Sequence, residues 1–597
     1  MRKMNKIAAV TLAAISATAF IGCGNEAAAP AFAFYQGDRV DAATGKMEFS
    51  TDLFYRNDKK NNGAADPYVL DNTTRDGYYY MFTTDNAYFC PSRSKDLVTW
   101  EEVGPSLNAW SADSELLEIV WEDIWAPEVV YDPDTELYYM HFSASPRNST
   151  DLDMLLMAAV SETPYGPYDV VNFLDPESCG EENVHVYDES LYNEPMAKYL
   201  FLNPEKHYDF SVSQTGKNRK YPGAIDPHAF VDDNGKKYLY YVDNIGLNFI
   251  TVVEMENWLK PKWETVSLVS AARYWTVEDF KAYKENSTIP ADGYVTYEAL
   301  NNTINEGPVM TKHNGKYYLT FSINAYEKSD YAVAQAVADS PLGPFRKLRE
   351  EENGLLLSSL AQGSNEVSGS GHHSFITAND QMYVIYHRHD DFVTAGSARN
   401  PAVDEIEWVT IEDINGKQID VMYANGPTWN VQPLPFGEYQ NIATEAAITG
   451  LEKDNAKYLF DELLSVCKTD TDFHVKYVNE TILTKTTTIA FDFASPRKIR
   501  AVMLYESKFE DSVFKTATVY LDTADGKTYT MNLKLMDELY ACNDYSGEIE
   551  YVQPGAAIFA EFAQTEVTRV RVTVPVEKDQ SQVGISEIRI LGLAEGK

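Results

Sequence analysis

The sequence predicts an all-β chain: a five-bladed β-propeller over residues 50–437, followed by a β-sandwich over 438–597. Three observations carry this expectation. Between about residues 50 and 435 one phrase recurs five times, an Asp or Gly turn leading into a short aromatic strand: DGYYYMFTT (76–84), ELYYMHFS (136–143), KKYLYYVDN (236–244), GKYYLTFS (315–322) and DQMYVIYHR (380–388). Turn residues followed by aromatic and β-branched ones are a strand signal. A second phrase, SETPYGPY at 161–168 and ADSPLGPF at 338–345, follows the apolar strands LLMAAV and YAVAQAVA. Matched phrases in matched settings indicate an internal repeat, and irregular all-strand units of this length fit propeller blades. Third, the texture changes after about residue 440 to long alternating strands such as TKTTTIAFDFASPRKIRAVMLYES and VGISEIRILG, the pattern of a sandwich. Lys457 to Cys467, early in the second part, reads as a short helix.

A chain of 597 residues is too long for one core and predicts two to four domains. Its 40 Tyr, 27 Phe and 9 Trp suit strands and also sugar-stacking surfaces. Acidic residues outnumber basic ones 90 to 50, a net charge of -40. Such a surface excludes nucleic acid and repels anionic headgroups, leaving neutral polymers as partners. Arg2, Lys3 and Lys6 precede an apolar run over 7–21 that is too short to span a bilayer and reads as a signal peptide, residues 1–22. The run ends Phe20-Ile21-Gly22-Cys23, the small-residue-then-Cys box of a bacterial lipoprotein with Phe where Leu is usual. An exported protein is expected, held at the membrane only through lipid on Cys23 with 23–49 as a tether; plain secretion is the alternative. Cys90, Cys179, Cys467 and Cys542 show neither CxxC nor metal spacing. Cys467 and Cys542 are candidates to pair, and four free thiols are the alternative. Stretches 170–195 and 255–300 read as loops or insertions, with WLKPKW (258–263) and Trp275 as candidate cleft walls.

Three carboxylates sit in unusual company. Asp66 lies in AADPYVL, Asp226 in GAIDPHAFVDDNGKKYLYY and Glu306 in INEGPVMTKHNGKYYLTF. Each acid, with Pro beside it or nearby, precedes a strand, a turn and an aromatic strand. Proline stiffens the backbone there. Innermost propeller strands line one depression, so equivalent positions in different blades converge. Taken singly, such an Asp is a strand-start cap bonding nearby N–H groups. Taken together, converging carboxyls supply what glycoside hydrolysis needs: one protonated acid, one ionised base, and a third group that tunes them.

These motifs, with the intervening DIWAPEV (123–129), resemble glycoside hydrolase family 43 of the five-bladed propeller glycosidases, over roughly residues 55–430. The resemblance implies Asp66 as general base, Asp226 as the carboxylate that raises the acid's pKa, and Glu306 as general acid. SGSGHHSF (368–375) resembles the family's Gly-His segment near the axis. It implies for His372, or alternatively His373, a place beside a water network or a structural calcium reached through water; a buried His bonding backbone looks the same, and no oxygen-rich loop of calcium spacing adds support. Arg399 in GSARNPAVDEIEW resembles an arginine that contacts substrate, against a surface salt bridge. Trp125 is a candidate to stack on a sugar or to pack under its blade, and Glu128 a candidate to bind a hydroxyl. Tyr88, Phe89 and Trp110 are looser rim candidates. The C-terminal part resembles discoidin-like, galactose-binding-like domains, either sugar-binding or simply packed on the propeller.

The resemblance implies inversion by single displacement, with the base and acid about 6.5–9.5 Å apart to admit water, and no organic cofactor. The expected substrate is an arabinose-, xylose- or galactose-containing glycan. An exo-acting α-L-arabinofuranosidase or β-D-xylosidase leads. Endo-arabinanase, exo-β-galactosidase or galactanase, and a non-catalytic glycan-binding surface protein are the alternatives.

Overall fold

The computed structural model describes residues 34–35, 49–57, 64–84, 89–104, 106–107, 120–147, 154–185, 196–201, 223–244, 248–271, 304–358, 367–389, 398–428, 431–464, 479–507, 509–514, 516–534 and 557–593. The leader with Cys23, most of the tether, Tyr88, Trp110, Trp275, Cys467 and Cys542 lie outside them. Cys90 and Cys179 are free thiols.

Five antiparallel sheets form the propeller. Their strands are, in blade I, Tyr68–Asp71, Tyr79–Phe82, Ser92–Ser94 and Glu101–Glu102; in blade II, Val120–Asp132, Leu137–Pro146, Leu155–Ser161 and Asp169–Val170; and in blade III, Gly223–Val231, Lys237–Asn244, Asn248–Asn257 and Lys260–Pro261, joined by Ser267–Ala271. Blade IV has Asn305–His313, Lys316–Ile323, Ala332–Ala338 and Arg346–Lys347, joined by Leu355–Leu357; blade V has Gly371–Ala378, Gln381–His389, Arg399–Glu412 and Gln418–Ala424. The first strands touch one another in a closed ring from blade I round to blade V and back. The recurring aromatic phrases are the second strands. Their alternate residues face opposite neighbours: Tyr79 and Met81 join the core shared with blade V, while Tyr80 and Phe82 join that shared with blade II. Both faces are dry, so these strands read as continuous apolar runs. The two GP phrases link third to fourth strands in blades II and IV.

Every blade is one contiguous stretch, so the ring closes by packing and hydrogen bonds. Asn57 Nδ2 donates to Asp404 at 2.9 Å, its Oδ1 accepts Val403 N–H at 2.9 Å, and Arg388 Nε donates to its carbonyl at 2.8 Å. Phe54–Tyr55 pairs with Gln432–Pro433 beside this seam.

The β-sandwich is built on a nine-strand ladder. Its 20-residue strand Thr487–Glu506 bends at bulges. The first half lies between Ala447–Thr449 and the end of Ala557–Val574; the second lies between the start of that strand and Val583–Leu593. Such bends let one strand serve two layers. Phe54 meets Phe559 with ring centroids 4.7 Å apart, and Arg589 grips Glu405 of blade V with bonds of 3.1 and 2.7 Å.

Several expectations are corrected. The helix expected over Lys457 to Cys467 is displaced to Lys453–Ala456 and a 3-10 turn Lys457–Leu459, ending before Glu462 turns left-handed (φ 60). Phe34–Tyr35, expected in the tether, pairs with the sandwich strand Ala557–Val574. The stretch after 255 starts not as a loop but as the outer strands of blade III. Trp258 there is 1% exposed and packs on His141, because an indole between blades buries more area than one on a cleft wall. Phe89 is fully buried edge-on to Phe142 and is no rim residue. Within 170–185 a short helix, Pro176–Cys179, is capped by Asp175, whose Oδ1 accepts Glu177 N–H at 3.0 Å.

Candidate active site

One backbone device repeats around the ring. Asp66, Ala126, Asp226, Gly307 and His372, one per blade, have φ of 52, 48, 53, 55 and 44°. The first four precede proline. In blades II to V the ladder skips a register at this point, between Trp125 and Glu128, Ile225 and His228, Glu306 and Val309, and Gly371 and His373. A bulge releases its residue from pairing and re-aims the side chain. Non-glycine residues seldom hold positive φ, and such outliers concentrate at functional sites. All five residues line one small cavity of about 10 Å³ on the axis, room for about one water.

This corrects the reading of three equivalent acids. Asp66 and Asp226 occupy matching left-handed positions, but in blade IV that place belongs to Gly307, and Glu306 stands one residue earlier. A Cβ on Gly307 would come within 3.3 Å of the His372 ring.

Asp66 is 9% exposed. Its Oδ1 lies 3.1 Å from both His372 Nδ1 and Arg399 NH1. Its backbone N–H donates to His387 Nδ1 at 3.3 Å. Burial pulls the His387 imidazole well below its ordinary pKa, so that ring is neutral, and its 3.6 Å approach to the carboxylate is not an ion pair. The Thr84 hydroxyl accepts Ala126 N–H at 2.8 Å, leaving its proton for Asp66. Burial alone would push Asp66 up; the charges of His372 and Arg399 and the Thr84 bond outweigh it and hold this carboxyl well below the usual range.

Asp226 and Glu306 are held the opposite way. Asp226 donates its N–H to Ser143 Oγ at 3.1 Å and accepts Gly307 N–H on Oδ2 at 3.0 Å. Burial pushes its carboxyl up to about 7; His372 opposes, and the charges of Glu306 and Asp66 add to the rise. Glu306, half-buried, accepts Tyr331 O–H on Oε1 at 2.9 Å and Asn248 Nδ2 on Oε2 at 3.4 Å. Burial pushes it up to about 7, against the Tyr331 bond and Arg399, with Asp66 and Glu327 adding. One depression thus holds a carboxylate kept ionised and a neighbouring pair that keeps protons to near neutrality.

The remaining candidates separate. Trp125 is 40% exposed, so it is an open platform beside the bulge and not packing under the blade. Arg399 grips Asp66 from within the site and stacks 4.8 Å over Tyr326. Glu128 is not free for a sugar hydroxyl: His228 Nδ1 reaches its two oxygens at 2.9 and 3.0 Å and Ala229 N–H donates at 3.2 Å. His228 Nε2 in turn accepts Met310 N–H at 2.9 Å, making a strut across the first strands of blades II, III and IV. His373 Nε2 meets Thr320 at 2.7 Å, and burial pulls this ring well below its ordinary value; it is a core histidine, and His372 is the site residue. Carboxylates, prolines and imidazoles line the axis, His372 Nδ1 is engaged by Asp66, and among the described residues no group of three or more His, Cys, Asp or Glu is arranged to hold a metal ion directly. Tyr331, Asn248, His387 and Thr84 escaped the sequence reading. Tyr331 and His387 sit inside phrases that announce only strands.

The model of the family described as Glycosyl hydrolases family 43 matches residues 55–218 and 209–410. The chain is 28% identical over 239 residues to a β-D-galactofuranosidase of Aspergillus niger, covering 38% of this chain and 58% of that protein. It is 24% identical over 285 residues to an extracellular endo-α-(1→5)-L-arabinanase of Thermotoga petrophila, covering 45% and 48%. The chain thus spans about half the length of the curated relatives it matches. A solved thermostable family-43 glycoside hydrolase is 26% identical, with a TM-score of 0.45 over 64% of this chain and 99% of that one. The family match takes in more than half of the chain, with Asp66, Asp226 and Glu306 inside it, and the chain belongs to glycoside hydrolase family 43.

Proposed function

We propose that the protein hydrolyses glycosidic bonds with inversion. One arrangement carries the reading: Asp66, bonded by Arg399 and beside His372, is held ionised, while Glu306, which feels the charge of Asp66, keeps its proton to about 7. Asp66 takes a proton from water as that water attacks the anomeric carbon. Glu306 Oε gives a proton to the departing oxygen. Asp226 shares the acid's titration and holds its backbone through Gly307. Arg399 and His372 fix the base, and Trp125 offers a face to the sugar ring.

The substrate reading is a furanoside at a chain end, α-L-arabinofuranose first. The relatives named for galactofuranoside and arabinan cleavage support a five-membered ring. β-D-Galactofuranose is the second reading, because the two sugars share ring configuration and differ in the exocyclic chain. A β-D-xyloside stands third, with endo action on arabinan behind it.

Proton NMR of methyl α-L-arabinofuranoside, β-D-galactofuranoside and β-D-xyloside hydrolysis tests this, with Glu306→Gln as control. The inverted sugar is expected to appear first, and only with the unaltered protein. Release with retained configuration would overturn the mechanism.

A further inference from the structure

Glu306 has two carboxyl oxygens, and the acid's proton must sit on the one that faces the leaving group. Tyr331 stands immediately before the third strand of blade IV. It is fully buried, its ring stacks on His387 at 5.5 Å with planes 7° apart, and its hydroxyl lies 2.9 Å from Glu306 Oε1. Gly371 makes room for it, since a Cβ there would meet the Tyr331 ring at 2.2 Å. The direction of the bond is set from behind. Ser322 Oγ accepts His372 N–H at 2.8 Å and is bonded to the Tyr331 oxygen. Its single proton therefore points at Tyr331, and the tyrosine proton points at Glu306. The donors run one way: His372 N–H, Ser322 O–H, Tyr331 O–H, Glu306 Oε1. Oε1 is an acceptor, which leaves Oε2, met only by the long Asn248 contact among the described residues.

We propose that Tyr331 is a positioning residue that assigns the transferable proton of Glu306 to Oε2 and aims it at the leaving oxygen; this rests on the reading of Glu306 as the acid. A bond donated to a carboxylate favours its ionised form, so Tyr331 also restrains the rise that burial imposes on Glu306. Asp66, Asp226 and Glu327 face Glu306 with like charge and Arg399 with opposite charge; all remain when the tyrosine hydroxyl is removed.

Tyr331→Phe keeps the ring, its stacking and its fit against Gly371. The probes are the 4-nitrophenyl and methyl glycosides of α-L-arabinofuranose, β-D-galactofuranose and β-D-xylose, with kcat/KM followed against pH. The basic limb is expected to move up by about one pH unit. Activity on the methyl glycoside should fall about tenfold more than on the 4-nitrophenyl one, because nitrophenolate departs without a proton. An unmoved limb with equal loss on both leaving groups would reduce Tyr331 to packing and overturn the proposal. Glu306→Gln in the same series separates the two readings. If methyl glycoside cleavage survives in it, the acid assignment itself fails; if cleavage is lost there while Tyr331→Phe matches the unaltered protein, only the role of Tyr331 fails. Should Tyr331→Phe not fold, Ser322→Ala leaves the tyrosine in place, frees its oxygen, and should move the basic limb the same way by less; no movement overturns the proposal.

Discussion

Replacing Asp226 with Asn tests the electrostatics of the site most directly. Each carboxyl of the Asp226–Glu306 pair is pushed up to about 7, chiefly by burial. For Glu306 the rise from 4.5 corresponds to roughly 3 kcal/mol disfavouring its charge. The pair holds two protons. When one leaves, the remaining proton is shared between the two groups and bound more tightly by the new negative charge, so Glu306 stays partly protonated until the second is lost. Activity that needs protonated Glu306 is present below that second step and disappears as pH rises through it. In Asp226→Asn the partner charge is gone, and burial with the charges of Asp66 and Glu327 holds the proton. A like charge this close is worth about one pH unit. Asn keeps the volume and still accepts Gly307 N–H through its oxygen, so geometry changes little. The expected result is a basic limb of kcat/KM lowered by about one unit: near-equal rates at pH 5, and a deficit growing to about tenfold above the wild-type limb. The assay is kcat/KM against pH on the preferred methyl glycoside, whose leaving group needs the acid's proton. A limb that stays or rises, with loss equal at every pH, would mean that Asp226 acts only by holding Gly307.

Two further outcomes follow from the structure. Trp125→Ala removes an exposed platform that meets substrate before and during reaction alike, so KM should rise about tenfold with kcat within about threefold; a matching fall in kcat in steady-state kinetics would place the indole against the reacting ring instead. Arg589→Met strands Glu405 without the cation that holds it by two bonds between sandwich and propeller. Urea unfolding should report a loss of about 3–5 kcal/mol, and a loss below about 1 kcal/mol would show that water replaces the arginine.

The propeller was legible because its second strands announce themselves. Strands buried on both faces must be continuously apolar, and Tyr80, Tyr241 and Tyr318 advertise that. The acids were legible because proline follows the left-handed residue in blades I to IV. Partners that carry no local signature were not. Tyr331 reaches Glu306 within blade IV and Thr84 reaches Asp66 within blade I, through strand pairing that no local phrase spells out; His387 reaches Asp66 from blade V, and only the closed ring brings that pair together. Glu128 was misread because a carboxylate beside an exposed tryptophan looks available, whereas His228, 100 residues on, takes both oxygens. Trp258 failed for the converse reason: the lysines and proline that follow it suggest a surface loop, yet the turn between the third and fourth strands of blade III buries it.

The offset of one residue in blade IV explains why a ring of five similar left-handed residues yields an asymmetric site. At the left-handed place itself the side chains are two carboxylates, a methyl, an imidazole and no side chain at all. Were the acid at that place too, it would project as Asp66 and Asp226 do. Standing one residue earlier, with one more methylene, Glu306 leaves the strand from ladder-paired backbone opposite Ser322. The amide that follows it, Gly307 N–H, is then free to bond Asp226 at 3.0 Å. The missing side chain on Gly307 leaves space for His372, which lies 3.1 Å from Asp66. The same glycine therefore ties the acid's backbone to the carboxylate that shares its proton and clears room for the imidazole that, with Arg399, holds the base in place. Opposed protonation in neighbouring carboxyls, which the proposed chemistry requires, follows from that single displacement in register.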